Sequence, residues 1–109
     1  MASGQQQAIF VPPNAGQVLN VLGQTITLKV TSDDSDSRYS IVEQVSPPQT
    51  GPPLHVHQAE DEVLYFLNGE WEVQYGDQKM VATVGTLAVI PRGIPHTFKN
   101  VGNTSSKVL

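Results

Sequence analysis

The chain has 109 residues, a formal net charge of −4 and an isoelectric point near 5.1. Its six lysines and arginines are scattered, which disfavours nucleic-acid binding, and the absence of cysteine excludes a disulfide framework, a thiolate metal site and a cysteine nucleophile. One domain with a modest core is expected at this length, and no apolar run approaches a membrane span.

Met1 to Gln7 lacks the basic and apolar regions of a secretion signal, so a cytoplasmic location is the default expectation. Residues 1–8 read as a flexible polar lead, and residues 9–109 as the domain. Ile9-Phe10-Val11 is expected as an edge strand stopped by Pro12-Pro13. Val18 to Leu22 is a short apolar run ended by Gly23. Gln24 to Val30 alternates polar and apolar residues, a clear strand pattern. The loop Thr31 to Ser37 carries Asp33, Asp34 and Asp36, but lacks the glycine and terminal glutamate of a calcium loop, so it reads as a solvated turn. Tyr39 to Val45 is the next strand. Its pattern sets Glu43 on one face with Tyr39, Ile41 and Val45, so that either Glu43 is a candidate partner for a site residue or the strand is half-exposed there.

Asp61 to Leu67 is expected as a strand, with either Tyr65 or Phe66 reaching the interior. Asn68-Gly69 is the dipeptide most favoured in two-residue hairpins. Glu70 to Tyr75, Lys79 to Val84, Thr86 to Ile90, His96 to Val101 and the segment from Lys107 complete about ten short strands. Trp71 and Tyr75 read as sheet packing, Gly85 and Gly93 as corner residues, Arg92 as a solvated rim residue and Asn100 as a turn support. No segment reads as a helix, so the fold class is all-β, a barrel or a sandwich.

The chemistry concentrates in two places. His55-Val56-His57 places two imidazoles at i and i+2, a spacing that shares one face in a strand but not in a helix. Pro52-Pro53 before them favours an extended approach. Glu60, Asp61 and Glu62 follow, and spacing alone does not choose among these three carboxylates. The third and last histidine, His96, lies behind Pro91-Arg92-Gly93-Ile94-Pro95. Imidazole nitrogens with one carboxylate oxygen suit iron, manganese, nickel, copper, cobalt or zinc better than calcium or magnesium. One divalent transition metal is therefore the expected cofactor.

These two stretches resemble the paired motifs of the cupins. The first motif reads His55-Val56-His57, four residues, Glu62, six residues, Gly69. The second reads Gly85, five residues, Pro91-Arg92-Gly93, two residues, His96, three residues, Asn100. One departure is Gly51, three residues before His55 where the family pattern has five. The resemblance spans about residues 16–109. It implies a double-stranded β-helix, or jelly-roll, barrel, with His55, His57, Glu62 and His96 as the metal ligands and Glu62 also able to take a proton.

Phrases such as Gly51-Pro52-Pro53 and Pro91-Arg92-Gly93-Ile94-Pro95-His96-Thr97-Phe98 are similar to small single-domain cupins of the quercetin dioxygenase-like group. That likeness implies a metal-dependent dioxygenase acting on a small, flavonol-like organic substrate. An oxygen-independent isomerase or lyase and a non-catalytic small-ligand binder are the alternatives. Relatives usually continue past the strand that begins at Lys107, so the last C-terminal elements are expected to be missing or supplied by a partner. A homodimer through sheet edges is the corresponding expectation.

Overall fold

Short alternating segments punctuated by glycine and proline fold as nine strands in the computed structural model, which describes residues 8–109. In chain order they are β1 (Gln17–Val21), β2 (Gln24–Val30), β3 (Ile41–Ser46), β4 (Glu62–Tyr65), β5 (Trp71–Tyr75), β6 (Gln78–Ala82), β7 (Leu87–Ile90), β8 (His96–Asn100) and β9 (Ser106–Val108). There is no helix among the described residues, as expected. All but Ala8 of the expected flexible lead lies outside the described residues.

Every strand pair is antiparallel. Three sheets form, ordered β1-β2-β3-β9, β4-β7 and β6-β5-β8. Two isolated pairings stitch them together. Phe66 pairs with Val108, joining the end of β4 to β9, and His55 pairs with His96, joining the first histidine segment to β8. The first seam is reinforced by reciprocal Tyr65–Leu109 backbone hydrogen bonds of 2.8 Å. The sheets thus share one barrel wall around a common interior.

That interior holds Leu64, Phe66, Trp71, Val73, Ala82, Ile90, Phe98 and Val108. Phe66, Trp71 and Phe98 form its aromatic centre, with ring centroids 5.4–6.5 Å apart, a spacing at which tilted and edge contacts are favourable. The indole N–H of Trp71 donates to the Asn68 carbonyl oxygen at 2.8 Å, so the buried donor is satisfied. Trp71 is therefore packing, as its sequence pattern indicates, and Phe66 is the aromatic of its strand that turns inward. Asn100 is sealed from solvent and ties three segments together. Its amide N–H groups donate to the carbonyls of Ser46 and Thr104, and its Oδ1 accepts the Gly102 N–H.

Two expectations are corrected and one open reading is decided. Ile9-Phe10-Val11 is not a strand, and Phe10 is almost fully exposed. Three residues followed by two prolines offer too few backbone donors to hold a ladder. Asn68-Gly69 does not close a hairpin, because β4 pairs with β7 whereas β5 pairs with β6 and β8. The turn instead carries the chain between sheets, with Asn68 Oδ1 accepting the Lys107 N–H at 2.7 Å. The two-residue hairpin turns are Leu22-Gly23 and Gly76-Asp77, flanked by the Val21–Gln24 and Tyr75–Gln78 pairs. Finally, Glu43 does not face the interior. β3 turns Gln44 and Ser46 inward, and Glu43 lies on the other face, 3.7 Å from Lys107 Nζ.

Gly51 and Gly76 separate two reasons for glycine. At Gly51 a Cβ would run into the Phe98 carbonyl oxygen of β8, whereas at Gly76 the φ of +53° is the constraint and the space is open. Gly51→Ala is expected to lower the unfolding free energy by about 2–3 kcal/mol, from backbone overpacking. Gly76→Ala should cost about 1–2 kcal/mol, from left-handed strain alone. Urea unfolding measures both, and an equal or smaller loss at Gly51 would contradict the close approach.

Candidate metal centre

Pro52-Pro53 delivers an extended chain to His55, which then exchanges two backbone hydrogen bonds with His96. The His55 N–H reaches the His96 carbonyl at 3.0 Å and the His96 N–H returns to the His55 carbonyl at 2.8 Å. This pairing brings the two rings to 4.4 Å between centroids. The expected strand through both early histidines is reduced to that single pairing, because the chain bends at Gln58-Ala59 and His57 has no ladder partner. His57 is held differently. Its carbonyl accepts the Gly93 N–H at 2.7 Å, and Gly93 adopts a φ of +83° that lets Pro91-Arg92-Gly93 turn under it. The His57 ring ends 5.0 Å from that of His55.

Glu62 opens β4 and completes the group. Its Oε2 lies 2.8 Å from His96 Nε2, 2.9 Å from His57 Nε2 and 3.8 Å from His55 Nε2. One ligating atom from each of the four residues falls within 4.8 Å of all the others. The four side chains singled out in the sequence therefore do converge, from three separate places in the fold.

The far side of each ring explains why the Nε2 atoms point inward. His55 Nδ1 stands 2.8 Å from the Pro53 carbonyl oxygen, and His96 Nδ1 stands 2.9 Å from the Ile94 carbonyl oxygen. His57 Nδ1 stands 3.0 Å from Glu60 Oε1. A neutral imidazole has one N–H, and an oxygen acceptor at Nδ1 claims it. In that tautomer Nε2 is free to ligate, and in this site it faces a carboxylate oxygen. Three imidazole nitrogens and an acid oxygen turned on one point make a donor set for one cation.

A single cation would suit that donor set, and the spacing fits one. Ligand atoms at roughly 2.0–2.1 Å from an ion stand about 2.9 Å apart when adjacent in an octahedral arrangement and about 4.1 Å apart when opposite. The two short contacts to Glu62 match adjacent positions, and the 3.8 Å separation from His55 approaches opposite ones. The residues present thus fit a mononuclear site of three nitrogens and one oxygen. Oxygen acceptors behind each ring are the usual means of fixing such ligands.

The acidic run that spacing left open divides its labour. Glu60 supports His57, Glu62 enters the cluster, and Asp61 turns away to Arg92. Asp61 Oδ1 accepts the Arg92 backbone N–H at 3.0 Å and its Nε–H at 3.2 Å. These side-chain and backbone hydrogen bonds, with the guanidinium charge, hold the Asp61 carboxyl below its ordinary value of 3.8. A depressed carboxylate pKa stabilises the fold above the ordinary value, and that contribution disappears as pH falls through the lowered one. Arg92 is exposed as the sequence suggests, yet it pins the acidic run to the turn before His96.

The site is closed on one side and open on the other. The His96 side chain is 2% exposed, whereas those of His55, His57 and Glu62 are 30%, 34% and 22% exposed. The open side faces a cavity of about 720 Å³ walled by Ile41, Val42, Leu64, Phe98 and Val108 among others. Gln44 also lines it, a residue that sequence reasoning missed. The only available signal was polarity at inward positions, since Gln24, Gln44 and Ser46 lie where a strand facing an apolar core would carry aliphatic residues.

Comparisons with known proteins follow this geometry. An uncharacterized protein of Methanocaldococcus jannaschii, MJ1618, is 29% identical over 72 residues, which is 66% of this chain but only 58% of that relative's length. A predicted oxalate decarboxylase from Thermotoga maritima superposes with a TM-score of 0.85 at 18% identity, covering 92% of this chain and 94% of the other. The polyketide cyclase RemF from Streptomyces resistomycificus superposes at 0.78 and 20% identity, covering 94% and 76%. Both likenesses establish the jelly-roll barrel. The family model of the cupin domain matches residues 42–109, well over half the chain, and this protein belongs to the cupin family.

Proposed function

We propose that this protein is a mononuclear metal enzyme that holds one divalent transition ion through His55, His57, Glu62 and His96 and acts as a dioxygenase on a small, flavonol-like organic substrate. The observation that carries the reading is the convergence of three Nε2 atoms and Glu62 Oε2 at the wall of a largely apolar cavity. A bound ion would supply Lewis acidity at positions left open by the four side chains and, if redox-active, a route for electrons to dioxygen. The cavity would bind the substrate's apolar body and exclude water. His55 and His57, the more exposed imidazoles, mark the side from which substrate oxygens arrive. Glu62 Oε1, the oxygen turned away from the imidazoles, would accept the proton of an incoming hydroxyl.

A second reading keeps the metal and dispenses with oxygen. It is supported by fold neighbours whose names point elsewhere, a polyketide cyclase and a predicted oxalate decarboxylase. Under it the same residues serve an isomerase or lyase, with Glu62 moving a proton and no oxidation taking place.

Two predictions follow from the site. Wild-type protein is expected to retain close to one equivalent of a first-row transition metal after gel filtration, measured by inductively coupled plasma mass spectrometry. His96→Ala should lose more than about 100-fold in affinity, beyond the 10–100-fold usual for a residue that only supports a ligand. Glu60→Gln should fall within that smaller range, about tenfold, with stoichiometry unchanged. A His96→Ala protein that keeps wild-type metal content would contradict the ligand assignment.

The second prediction concerns the reaction. Protein reconstituted separately with iron, manganese, cobalt, nickel, copper or zinc is expected, with at least one of them, to bleach the visible absorption of quercetin in air, with matching dioxygen uptake. Bleaching that persists without oxygen would favour the second reading. No bleaching with any of the metals would remove flavonols as substrates.

A further inference from the structure

A directed chain of hydrogen bonds runs through the barrel wall and ends with one open acceptor in the cavity. It starts at a backbone carbonyl, whose role as acceptor is fixed. The Thr50 hydroxyl donates to the Pro47 carbonyl oxygen at 2.8 Å. With its one proton used, Thr50 Oγ1 can only accept, and it takes an N–H of Gln24 at 3.0 Å. Gln24 Nε2 is thereby identified, so Gln24 Oε1 is the acceptor of that amide. It receives the Ser46 hydroxyl proton and an N–H of Gln44 at 3.2 Å. Ser46 Oγ, its proton spent, shares that Gln44 N–H at 3.2 Å.

The Gln44 amide is therefore oriented by elimination. Nε2 faces the wall, where one N–H is shared between Gln24 Oε1 and Ser46 Oγ, and Oε1 has no hydrogen-bond partner among the described residues. Among those residues, every side-chain polar atom sealed from solvent has a partner, so Oε1 is not sealed. The residue as a whole is only 8% exposed, and the surface it contributes to is the cavity shared with His55, His57 and Glu62. Gln44 comes from β3, in a different sheet from Glu62 on β4 and His96 on β8. Val42, Leu64, Phe98 and Val108 give the same cavity apolar lining.

We infer that Gln44 is a specificity-determining residue that selects ligands carrying a hydroxyl group on the part of the ring system away from the metal-binding oxygens. This rests on the metal-centred reading above and adds a requirement to it. An apolar ligand that fills the cavity strips water from Oε1 and leaves a buried acceptor unpaired, which weakens binding. A ligand hydroxyl aimed at Oε1 restores the bond, and the amide cannot flip without breaking the chain back to Pro47.

The test compares two chelating probes on nickel-loaded protein under anaerobic conditions, 3-hydroxyflavone and its more hydroxylated analogue kaempferol, titrated by their absorption changes. Kaempferol is expected to bind about five- to tenfold more tightly, the range of one net hydrogen bond. In Gln44→Met that preference should collapse to about twofold or less, chiefly because 3-hydroxyflavone binds more tightly once no acceptor is left unpaired. Equal affinity of the wild type for the two probes overturns the inference without need of a variant, as does a preference that survives in a folded Gln44→Met. Nickel retention with neither probe bound overturns it alone. Failure to retain nickel removes the metal reading and this inference with it.

Discussion

The structure depends on the orientation of three imidazoles, each held from behind by an oxygen. Carbonyls of Pro53 and Ile94 and the carboxylate of Glu60 take the Nδ1 side, so three Nε2 atoms face Glu62 Oε2. Two of the three anchors are backbone atoms two residues before their own histidine, preceding or adjoining a proline. Pro-x-His and Ile-Pro-His are therefore local devices as much as topological ones. The proline-restricted backbone places the carbonyl, the carbonyl sets the tautomer, and the tautomer sets the direction of the ligand atom.

The rest of the barrel keeps these local devices in register. The reciprocal backbone bonds between His55 and His96 fix two rings against each other, and Gly93 carries His57 on the same turn that leads into β8. Glu62 arrives from another sheet, and its position is set by the pairing of β4 with β7 and by Asp61 gripping Arg92 next door. Beneath the site, Phe66, Trp71 and Phe98 fill the interior as far as the cavity begins. Small changes at Gly51, where β8 runs against the backbone, would thus reach His96 within a few residues.

Much of this was legible in the chain because the decisive signals are short and local. Alternation marked β2, and the His-x-His pair, Glu62 and His96 were named from residue type, spacing and family likeness. What stayed hidden is non-local. Asn68-Gly69 reads as a hairpin because its local geometry suits one, but which strand pairs with which is decided by sheet closure. Parity with Tyr39, Ile41 and Val45 left two readings of Glu43 open, and β3 decides between them by turning its polar face, Gln44 and Ser46, toward the interior. The Gln24, Gln44, Ser46 and Thr50 network crosses from one strand to the next, so no single window of sequence contains it. The same holds for the division of labour among Glu60, Asp61 and Glu62, whose partners lie on other turns.

X-ray absorption fine structure on the metal-loaded protein tests the central claim most directly. A first shell of three imidazole nitrogens and at least one oxygen, with outer-shell scattering from all three rings that drops to two in His96→Ala, is the predicted result. A shell made only of water and carboxylate oxygens, or one left unchanged by losing His96, would contradict it.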